Sequence, residues 1–175
     1  NSSIDQIALL GTATAISTTT PSATGTYEET EANFNYTGTW VQAANALALG
    51  GTYRYTTLKD ATVSFTVDGT VSRVAIYRTM GPAPTYGSMD VSINGSFVVN
   101  ISNINPTVIY GQPYVLNILT PGTNTIEIKN KAATNSNIDR IVLLGAPATL
   151  TTSPGTYQEN DPALTYTGNW IQATN

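Results

Sequence analysis

The feature that most constrains this chain is an internal repeat that brackets its centre. NSSIDQIALLG at 1–11 returns as NSNIDRIVLLG at 135–145 with three differences, and GTYEETEANFNYTGTWVQAAN at 25–45 returns as GTYQENDPALTYTGNWIQATN at 155–175. The offsets of 134 and 130 residues differ because the stretches between the copies differ in length. Connectors tolerate such changes, whereas packed strands do not. The repeat unit of about 130 residues has the size of an independent domain.

This repeat predicts five segments, as in a window on a tandem array of domains. Residues 1–11 are expected to form the last strand of a preceding repeat, 25–145 one complete domain, and 155–175 the first strands of a following repeat. The segments 12–24 and 146–154 are rich in Thr, Ser, Ala and Pro. Such segments lack an apolar pattern and favour extended conformations, so we interpret them as linkers.

Composition excludes several classes of function. Charged residues make up 10% of the chain and the net charge is −4. The seven Lys and Arg residues are scattered, which disfavours nucleic-acid binding because that requires clustered basic residues. No apolar run reaches the roughly 18 residues of a membrane span. The chain has neither Cys nor His, which excludes thiol chemistry and removes the commonest general base.

Alternating and β-branched segments predict an all-β fold. The segment 61–67 alternates apolar and polar residues, and the strands 89–93 and 97–99 flank Asn94-Gly95, a pair typical of two-residue hairpin turns. Further strands are predicted at 35–42, 52–56, 73–77, 114–118, 124–129 and 138–144. Short strands separated by turns at this spacing predict a two-sheet antiparallel β-sandwich.

Seven motifs follow one another along residues 25–145: YTGTW, GGTYRYT, DATVSFTVDGT, VAIYR, GSMDVSING, YVLNILTPGTNTIEI and IDRIVLLG. Their order resembles that of the galactose-binding-like jelly-roll domains found in tandem repeats of bacterial secreted and surface proteins. Many members of that family are carbohydrate-binding modules. The resemblance implies two antiparallel sheets of four or five strands each, with the first and last strands close together.

The same resemblance implies a calcium site. Several carbohydrate-binding relatives hold a structural Ca²⁺ between an acidic residue of an early strand and one of the last strand. The matching positions are Glu29, with Glu28 beside it, and Asp139. Oxygen ligands of this kind suit Ca²⁺. The alternative is that these carboxylates are solvated or accept hydrogen bonds from the backbone, and no other cofactor is expected.

A candidate carbohydrate site is predicted around the loop that follows the strand at 73–77. This loop carries Arg78 and Tyr86, and a second segment with Tyr110 and Gln112 is expected to lie near it. Aromatic faces beside a guanidinium and an amide would bind a pyranose by stacking and hydrogen bonding. The alternative is that the tyrosines pack on the domain edge or on a neighbouring domain.

The sequence contains no recognisable catalytic arrangement. The acidic residues are dispersed, and without His no Ser–His–Asp triad can form. A glycosidase requires two facing carboxylates, and nothing in the sequence pairs them. We therefore predict that the chain is not an enzyme.

Three asparagines of the central domain match the N-glycosylation pattern. Asn94, Asn100 and Asn35 each begin an Asn-X-Ser/Thr triplet. Asn94 lies in the predicted hairpin turn, so it is expected to be the most accessible acceptor of the three.

The sequence favours a structural function over a binding function. We expect a tandem-repeat protein of an extracellular filament, sheath or adhesive stalk at the cell surface, with copies of itself as partners. The repeats would be continuous in one chain or joined between subunits by strand addition to an open sheet edge, and the sequence does not separate these. The alternative is a carbohydrate-binding module repeat of a secreted protein, with cell-surface glycans as partners.

Overall fold

The computed structural model describes residues 20–118 and 120–146, and this part of the chain is built from twelve β-strands and one short 3-10 turn at Leu49–Gly51. The strands are β1 Gly25–Glu28, β2 Asn35–Thr37, β3 Val41–Ala44, β4 Thr52–Thr56, β5 Thr62–Val67, β6 Arg73–Met80, β7 Ser88–Ile93, β8 Ser96–Ser102, β9 Ile109–Asn117, β10 Asn124–Asn130, β11 Ser136–Ile138 and β12 Arg140–Leu144. The predicted all-β fold is confirmed. None of the described residues forms a helix long and apolar enough to cross a membrane.

The segments predicted to belong to neighbouring repeats, 1–11 and 155–175, lie outside the described residues. Most of the first predicted linker, up to residue 19, and the second from residue 147 onwards also lie outside them. All twelve strands fall within the central segment 25–145.

Two antiparallel sheets form the sandwich. One has four strands in the order β1-β12-β6-β9, and the other has five in the order β2-β5-β10-β7-β8. The predicted jelly-roll sandwich is confirmed, with four and five strands as the resemblance implied. A third, three-stranded sheet of order β11-β4-β3 was not predicted. This small sheet carries part of the candidate site described below.

The core lies between the two large sheets because their strands alternate buried and outward-facing residues. In β5 every second residue is buried, and in register with it Ile126 and Ile128 of β10 lie opposite Phe65 and Val63. The other sheet contributes Val74 and Ile76 from β6 and apolar residues of β12. Each fully buried aliphatic side chain of this kind contributes about 1.5–3 kcal/mol to folding relative to exposure.

The last strand predicted from the sequence is divided at Asp139. The residues before it form β11 and pair with β4, whereas the residues after it form β12 and pair with β6. Asp139 itself donates its backbone amide to the carbonyl oxygen of Tyr77 at 2.9 Å. The chain therefore moves from the small sheet to the four-stranded sheet at this residue.

The predicted strand at 35–42 is divided as well. Gly38 has a φ of +77°, in the left-handed region that glycine adopts without strain. A Cβ at this position would lie 3.0 Å from the Cβ of Ala61. The chain consequently leaves β2 at Gly38 and enters β3 in a different sheet.

A bulge in β6 is closed by one buried side chain. The β6–β9 register shifts between Arg78 and Met80, which leaves the backbone of Thr79 without ladder partners. The side chain of Asn137 takes their place, accepting from the Thr79 amide at 2.6 Å and donating to the Thr79 carbonyl at 3.0 Å. Asn137 and Thr79 are both buried, so β11 is fixed to β6 by these two hydrogen bonds.

Replacing Asn137 by alanine should destabilise the fold by about 2–4 kcal/mol, since it leaves a buried amide and a buried carbonyl without partners. Urea unfolding of the whole chain followed by circular dichroism measures this loss. Asn35→Ala removes an asparagine of an exposed position and serves as the control, with an expected change below about 1 kcal/mol. Equal stability of the two variants would contradict the role assigned to Asn137.

Candidate functional site

The candidate site is the place where four parts of the chain meet. These parts are the loop 45–51 before β4, the strand β4 itself, the loop 81–87 between β6 and β7, and the beginning of β9. Asn45 donates from Nδ2 to the hydroxyl of Tyr110 at 2.8 Å. The side chain of Leu49 lies against Gly111, where a Cβ would be 3.3 Å away. These contacts join the first of the two loops to β9.

A pair of buried carboxylates, here named the acid pair, lies under the loop 45–51. It consists of Glu29, directly after β1, and Asp139, between β11 and β12, and both side chains are fully buried. Glu29 Oε1 accepts from the hydroxyl of Thr52 at 2.6 Å, and Asp139 Oδ2 accepts from the amide of Leu49 at 3.1 Å. Their other oxygens, Glu29 Oε2 and Asp139 Oδ1, are buried and have no hydrogen-bond partner within residues 20–118 and 120–146.

The electrostatics of the acid pair are unfavourable in the protein alone. Burial raises the pKa of the Asp139 carboxyl to about 6; the nearby charge of Glu29 adds to this effect, while the hydrogen bond from Leu49 opposes it. A buried ionised group without a partner is costly because it loses its hydration. Two unpartnered carboxylate oxygens in one buried place therefore fit a cation of the oxygen-binding kind, such as Ca²⁺.

The acid pair differs from a complete cage of acidic side chains. Among the described residues, no group of three or more His, Cys, Asp or Glu side chains could hold a metal ion. Glu28, the neighbouring candidate, instead forms an ion pair with Arg140 at 2.6 Å. Remaining ligands for a cation would have to be the Thr52 hydroxyl, backbone carbonyls or water, all of which occur in Ca²⁺ sites.

The loop over the acid pair has a backbone that only glycine adopts easily. Gly50 has a φ of +73°, and a Cβ there would lie 2.9 Å from Glu28 Oε2. A side chain at this position would therefore strain the backbone and displace Glu28 from its ion pair. The Gly-Gly pair of the sequence allows this loop to bind the acid pair on one side and β9 on the other.

Four tyrosines gather beside this loop and are here named the tyrosine cluster: Tyr53, Tyr55, Tyr86 and Tyr110. The ring centroid of Tyr53 lies 6.1 Å from that of Tyr55 and 6.2 Å from that of Tyr110. Burial raises the pKa of Tyr53, and the three neighbouring phenols add to it. Burial also raises the pKa of Tyr86, with a further contribution from Tyr110. All four rings are half-buried, so each keeps part of its surface accessible.

Each tyrosine is positioned by a different element. Tyr53 and Tyr55 are two residues apart in β4 and so point to the same face of the strand. Tyr86 lies over Gly81, where a Cβ would come within 2.3 Å of its ring, and it forms a β-bridge with Asn135. A residue larger than glycine at position 81 would push this ring out of the cluster.

The four residues predicted to bind carbohydrate do not all come together. Tyr86 and Tyr110 meet in the tyrosine cluster. Arg78 lies within β6 rather than in the loop that follows it, and only 6% of its surface is exposed. Its guanidinium donates to the side chain of Asn103 at 2.9 Å and to the backbone carbonyl of Gln112 at 2.9 Å. Arg78 therefore ties β9 to the end of β8, and burial lowers its pKa.

Sequence reasoning missed Tyr53, Tyr55 and Asn45. The first two could have been found from the alternation in Gly-Thr-Tyr-Arg-Tyr, which places both rings on one face of a strand. Asn45 carries no such signal, because its contact with Tyr110 joins residues far apart in the sequence. Glu29 and Asp139, the carboxylates that the resemblance implied as calcium ligands, are both buried beneath the loop 45–51, and their role as ligands stays a prediction.

The three predicted glycosylation sites lie on strands or turns of the five-stranded sheet. Asn94 has a φ of +52° in the β7–β8 turn, and its amide group donates to Asn124 Oδ1 at 2.9 Å. Asn100 donates to Asp90 Oδ1 at 2.7 Å. Asn35 lies exposed on β2. All three remain predictions. The amide nitrogens of Asn94 and Asn100 donate hydrogen bonds to other side chains of the protein.

Comparison with solved structures finds a similar fold in several proteins of low sequence identity. A family 35 carbohydrate-binding module from Cellvibrio japonicus Abf62 matches with a TM-score of 0.54 and 19% identity, covering 70% of this chain and 94% of the module. A Paenibacillus xanthan lyase matches with a TM-score of 0.54 and 19% identity over 73% of this chain. The catalytic domain of a GH87 α-1,3-glucanase, in complex with tetrasaccharides, matches with a TM-score of 0.54 and 16% identity over 75% of this chain.

The chain spans 14% of the xanthan lyase and 29% of the glucanase structure. By contrast, it covers the module from Cellvibrio japonicus almost completely. No protein-family model and no curated protein sequence matches the chain. At these identities the likeness concerns the fold. The described part of the chain has a jelly-roll fold of the carbohydrate-binding-module type.

Proposed function

We propose that the chain is a carbohydrate-binding module whose ligand is a neutral glycan and whose binding surface is the tyrosine cluster. The observation that carries this proposal is the gathering of four half-buried tyrosine rings from β4, β9 and the loop 81–87. The likeness to a binding module that is covered over 94% of its length supports the same function. This was the alternative interpretation of the sequence, and it now becomes the preferred one.

The chemistry of the tyrosine cluster suits a sugar ring. Half-buried phenols present an apolar face for stacking on the C–H groups of a pyranose, and their hydroxyls add hydrogen bonds at the ring edge. Asn45 fixes the hydroxyl of Tyr110 and so orients that ring. Arg78 is engaged by Asn103 and Gln112. A neutral sugar fits this surface better than an anionic one, because the net charge of −4 disfavours anions.

The acid pair would hold Ca²⁺ as a structural ion. Glu29 Oε2 and Asp139 Oδ1 are the buried oxygens that accept no hydrogen bond from the described part of the chain, and a divalent cation would neutralise both carboxylates. The bound ion would supply no reaction. It would stabilise the positions of the loop 45–51 and of the ends of β1 and β11, which carry or contact these residues.

The acid pair and the tyrosine cluster are joined through the loop 45–51. Leu49 donates its amide to Asp139, and its side chain packs against Gly111, next to Tyr110. Asn45, at the other end of the loop, binds the Tyr110 hydroxyl. A cation at the acid pair would thus support one wall of the sugar site without contacting the sugar. The module would act outside the cell, where glycans and millimolar calcium are available.

Binding to the tyrosine cluster can be tested by replacing Tyr53, which touches two other members of the cluster, by alanine. We expect affinity for the glycan to fall about tenfold or more, since aromatic anchors dominate the energetics of such sites. A glycan array identifies the ligand, and isothermal titration calorimetry measures the affinities. Phe97→Ala is the matched control, because Phe97 is an aromatic residue with 64% exposure on β8, outside the cluster. Unchanged affinity in Tyr53→Ala would contradict the proposed binding surface.

Calcium should raise the melting temperature of the chain. At about a hundredfold excess over its Kd the gain corresponds to about 2.7 kcal/mol, or about 5–10 °C for a chain of this size. Asp139→Asn should abolish the gain, whereas Asp90→Asn, which removes a carboxylate outside the acid pair, should retain it. Calcium binds the ionised carboxylate, so the gain should be smaller at pH 5 than at pH 7.5 because the pKa of Asp139 is about 6. Identical melting curves in calcium and in EDTA would contradict the assignment.

The filament, sheath or stalk preferred from the sequence gains no support from the structural neighbours named above, which are a binding module and polysaccharide-degrading enzymes. The internal repeat that suggested it remains a property of the sequence. It is compatible with serial binding modules in a secreted protein, where linked sites increase avidity for a repetitive glycan.

A further inference from the structure

The strand β1 is a short edge strand with a second copy in the same chain. Among the described strands, its four residues pair with β12 alone, in the register Gly25 to Leu143 through Glu28 to Arg140. The segment 155–158 reads Gly-Thr-Tyr-Gln where β1 reads Gly-Thr-Tyr-Glu. The chain therefore contains two segments with nearly the same sequence, one of which pairs with this edge of β12.

The second copy has the same residue types at two positions where β1 makes its main side-chain contacts. Tyr27 packs on the core, with its ring 6.5 Å from that of Phe34 in an edge-to-face arrangement, and a tyrosine stands at the equivalent position 157. Glu29 of the acid pair is matched by a glutamate at 159. Pairing of the second copy with β12 would therefore preserve both the aromatic contact and the acid pair.

One contact distinguishes the two copies. Glu28 Oε1 accepts from Arg140 Nε at 2.9 Å and lies 2.6 Å from Nη2, and both side chains are largely shielded, with 36% and 25% exposure. The second copy has Gln158 in place of Glu28. The copy of β12 near the beginning of the chain has Gln6 in place of Arg140. The two opposite charges thus occur together only in the pairing that the structure shows.

The chain length permits the second copy to compete. The register puts Gly25 opposite Leu143, so a strand that pairs with β12 begins where β12 ends. Ten residues, 145–154, connect Leu144 to the second copy, which is enough for a hairpin connection back along β12. A tether of this length gives an effective concentration in the millimolar range, so the competition does not depend on protein concentration.

We propose that β12 is an acceptor edge for which Gly25–Glu28 and the segment 155–158 compete, and that the Glu28–Arg140 ion pair selects the first. Exchange would place Arg140 opposite Gln158 and would leave Glu28 to face Gln6 or water, so each charge would lose its partner. In an array of similar repeats, this selection keeps each sandwich closed by its own first strand instead of by that of its neighbour. It acts as a specificity device against domain swapping.

A three-cysteine variant of the whole chain measures the competition directly. The chain contains no cysteine, and Thr26 lies opposite Val142 on the outward face of the sheet. Thr26→Cys, Val142→Cys and Thr156→Cys together give one acceptor thiol and two donors, one from each copy. After equilibration in a thiol–disulfide buffer, peptide mass mapping gives the ratio of the 26–142 to the 156–142 disulfide. A non-reducing gel distinguishes links within one chain from links between chains, and both kinds of 156–142 link count as exchange.

The 26–142 disulfide should dominate when Glu28 and Gln158 are unchanged. Adding Glu28→Gln should shift the ratio about three- to tenfold towards 156–142, as expected for the loss of a partly shielded ion pair, and adding Gln158→Glu as well should reverse the preference. Glu31→Gln removes the same charge from an exposed position outside the ion pair and should leave the ratio unchanged. A ratio insensitive to both substitutions would overturn the selective role of the ion pair. Absence of any 156–142 disulfide in the doubly substituted variant would overturn the acceptor edge itself.

Discussion

The fully buried acid pair is the constraint on which the site depends most. Glu29 directly follows the first strand and Asp139 divides the last one, so the two carboxylates connect the edge of the four-stranded sheet with the small sheet. Each accepts a hydrogen bond through one oxygen, from Thr52 for Glu29 and from Leu49 for Asp139. The other oxygen of each has no partner among the residues that the structure describes. Burying ionised carboxylate oxygens without a partner reduces stability because they lose their hydration. A bound cation would neutralise them and would link three parts of the chain.

The position of the tyrosine cluster follows from the same constraint. The loop 45–51 contacts the acid pair on one side and Tyr110 with its neighbour Gly111 on the other. The small sheet, which β11 joins because the chain changes partners at Asp139, carries Tyr53 and Tyr55 on its central strand β4. The fold therefore supplies a rigid support, and the loops supply the rings that give a binding surface its chemistry.

Much of the fold could be predicted from the sequence, because alternation of apolar and polar residues fixes strands and their faces locally. The division at Asp139 could not, since IDRIVLLG reads as one uninterrupted strand and the change of partner depends on the distant strands β4 and β6. The position of Arg78 was also beyond the sequence pattern. That pattern predicts that the strand ends at Tyr77, whereas in the structure the strand continues to Met80 through a bulge closed by Asn137. The sequence predicts Tyr86 and Tyr110 as candidates and places Tyr53 and Tyr55 on one face of a strand, but only the structure shows that Tyr53 lies beside Tyr110.

The central claim is that a neutral glycan binds at the end of the sandwich where the tyrosine cluster lies. The most direct measurement is a titration of the ¹⁵N-labelled chain with a neutral oligosaccharide, in calcium, followed by the chemical shifts of its backbone amides. The account predicts that the largest shifts fall within 45–55, 81–87 and 109–112. Saturable shifts confined to another face of the sandwich, or none for any neutral oligosaccharide that a glycan array selects, would contradict it.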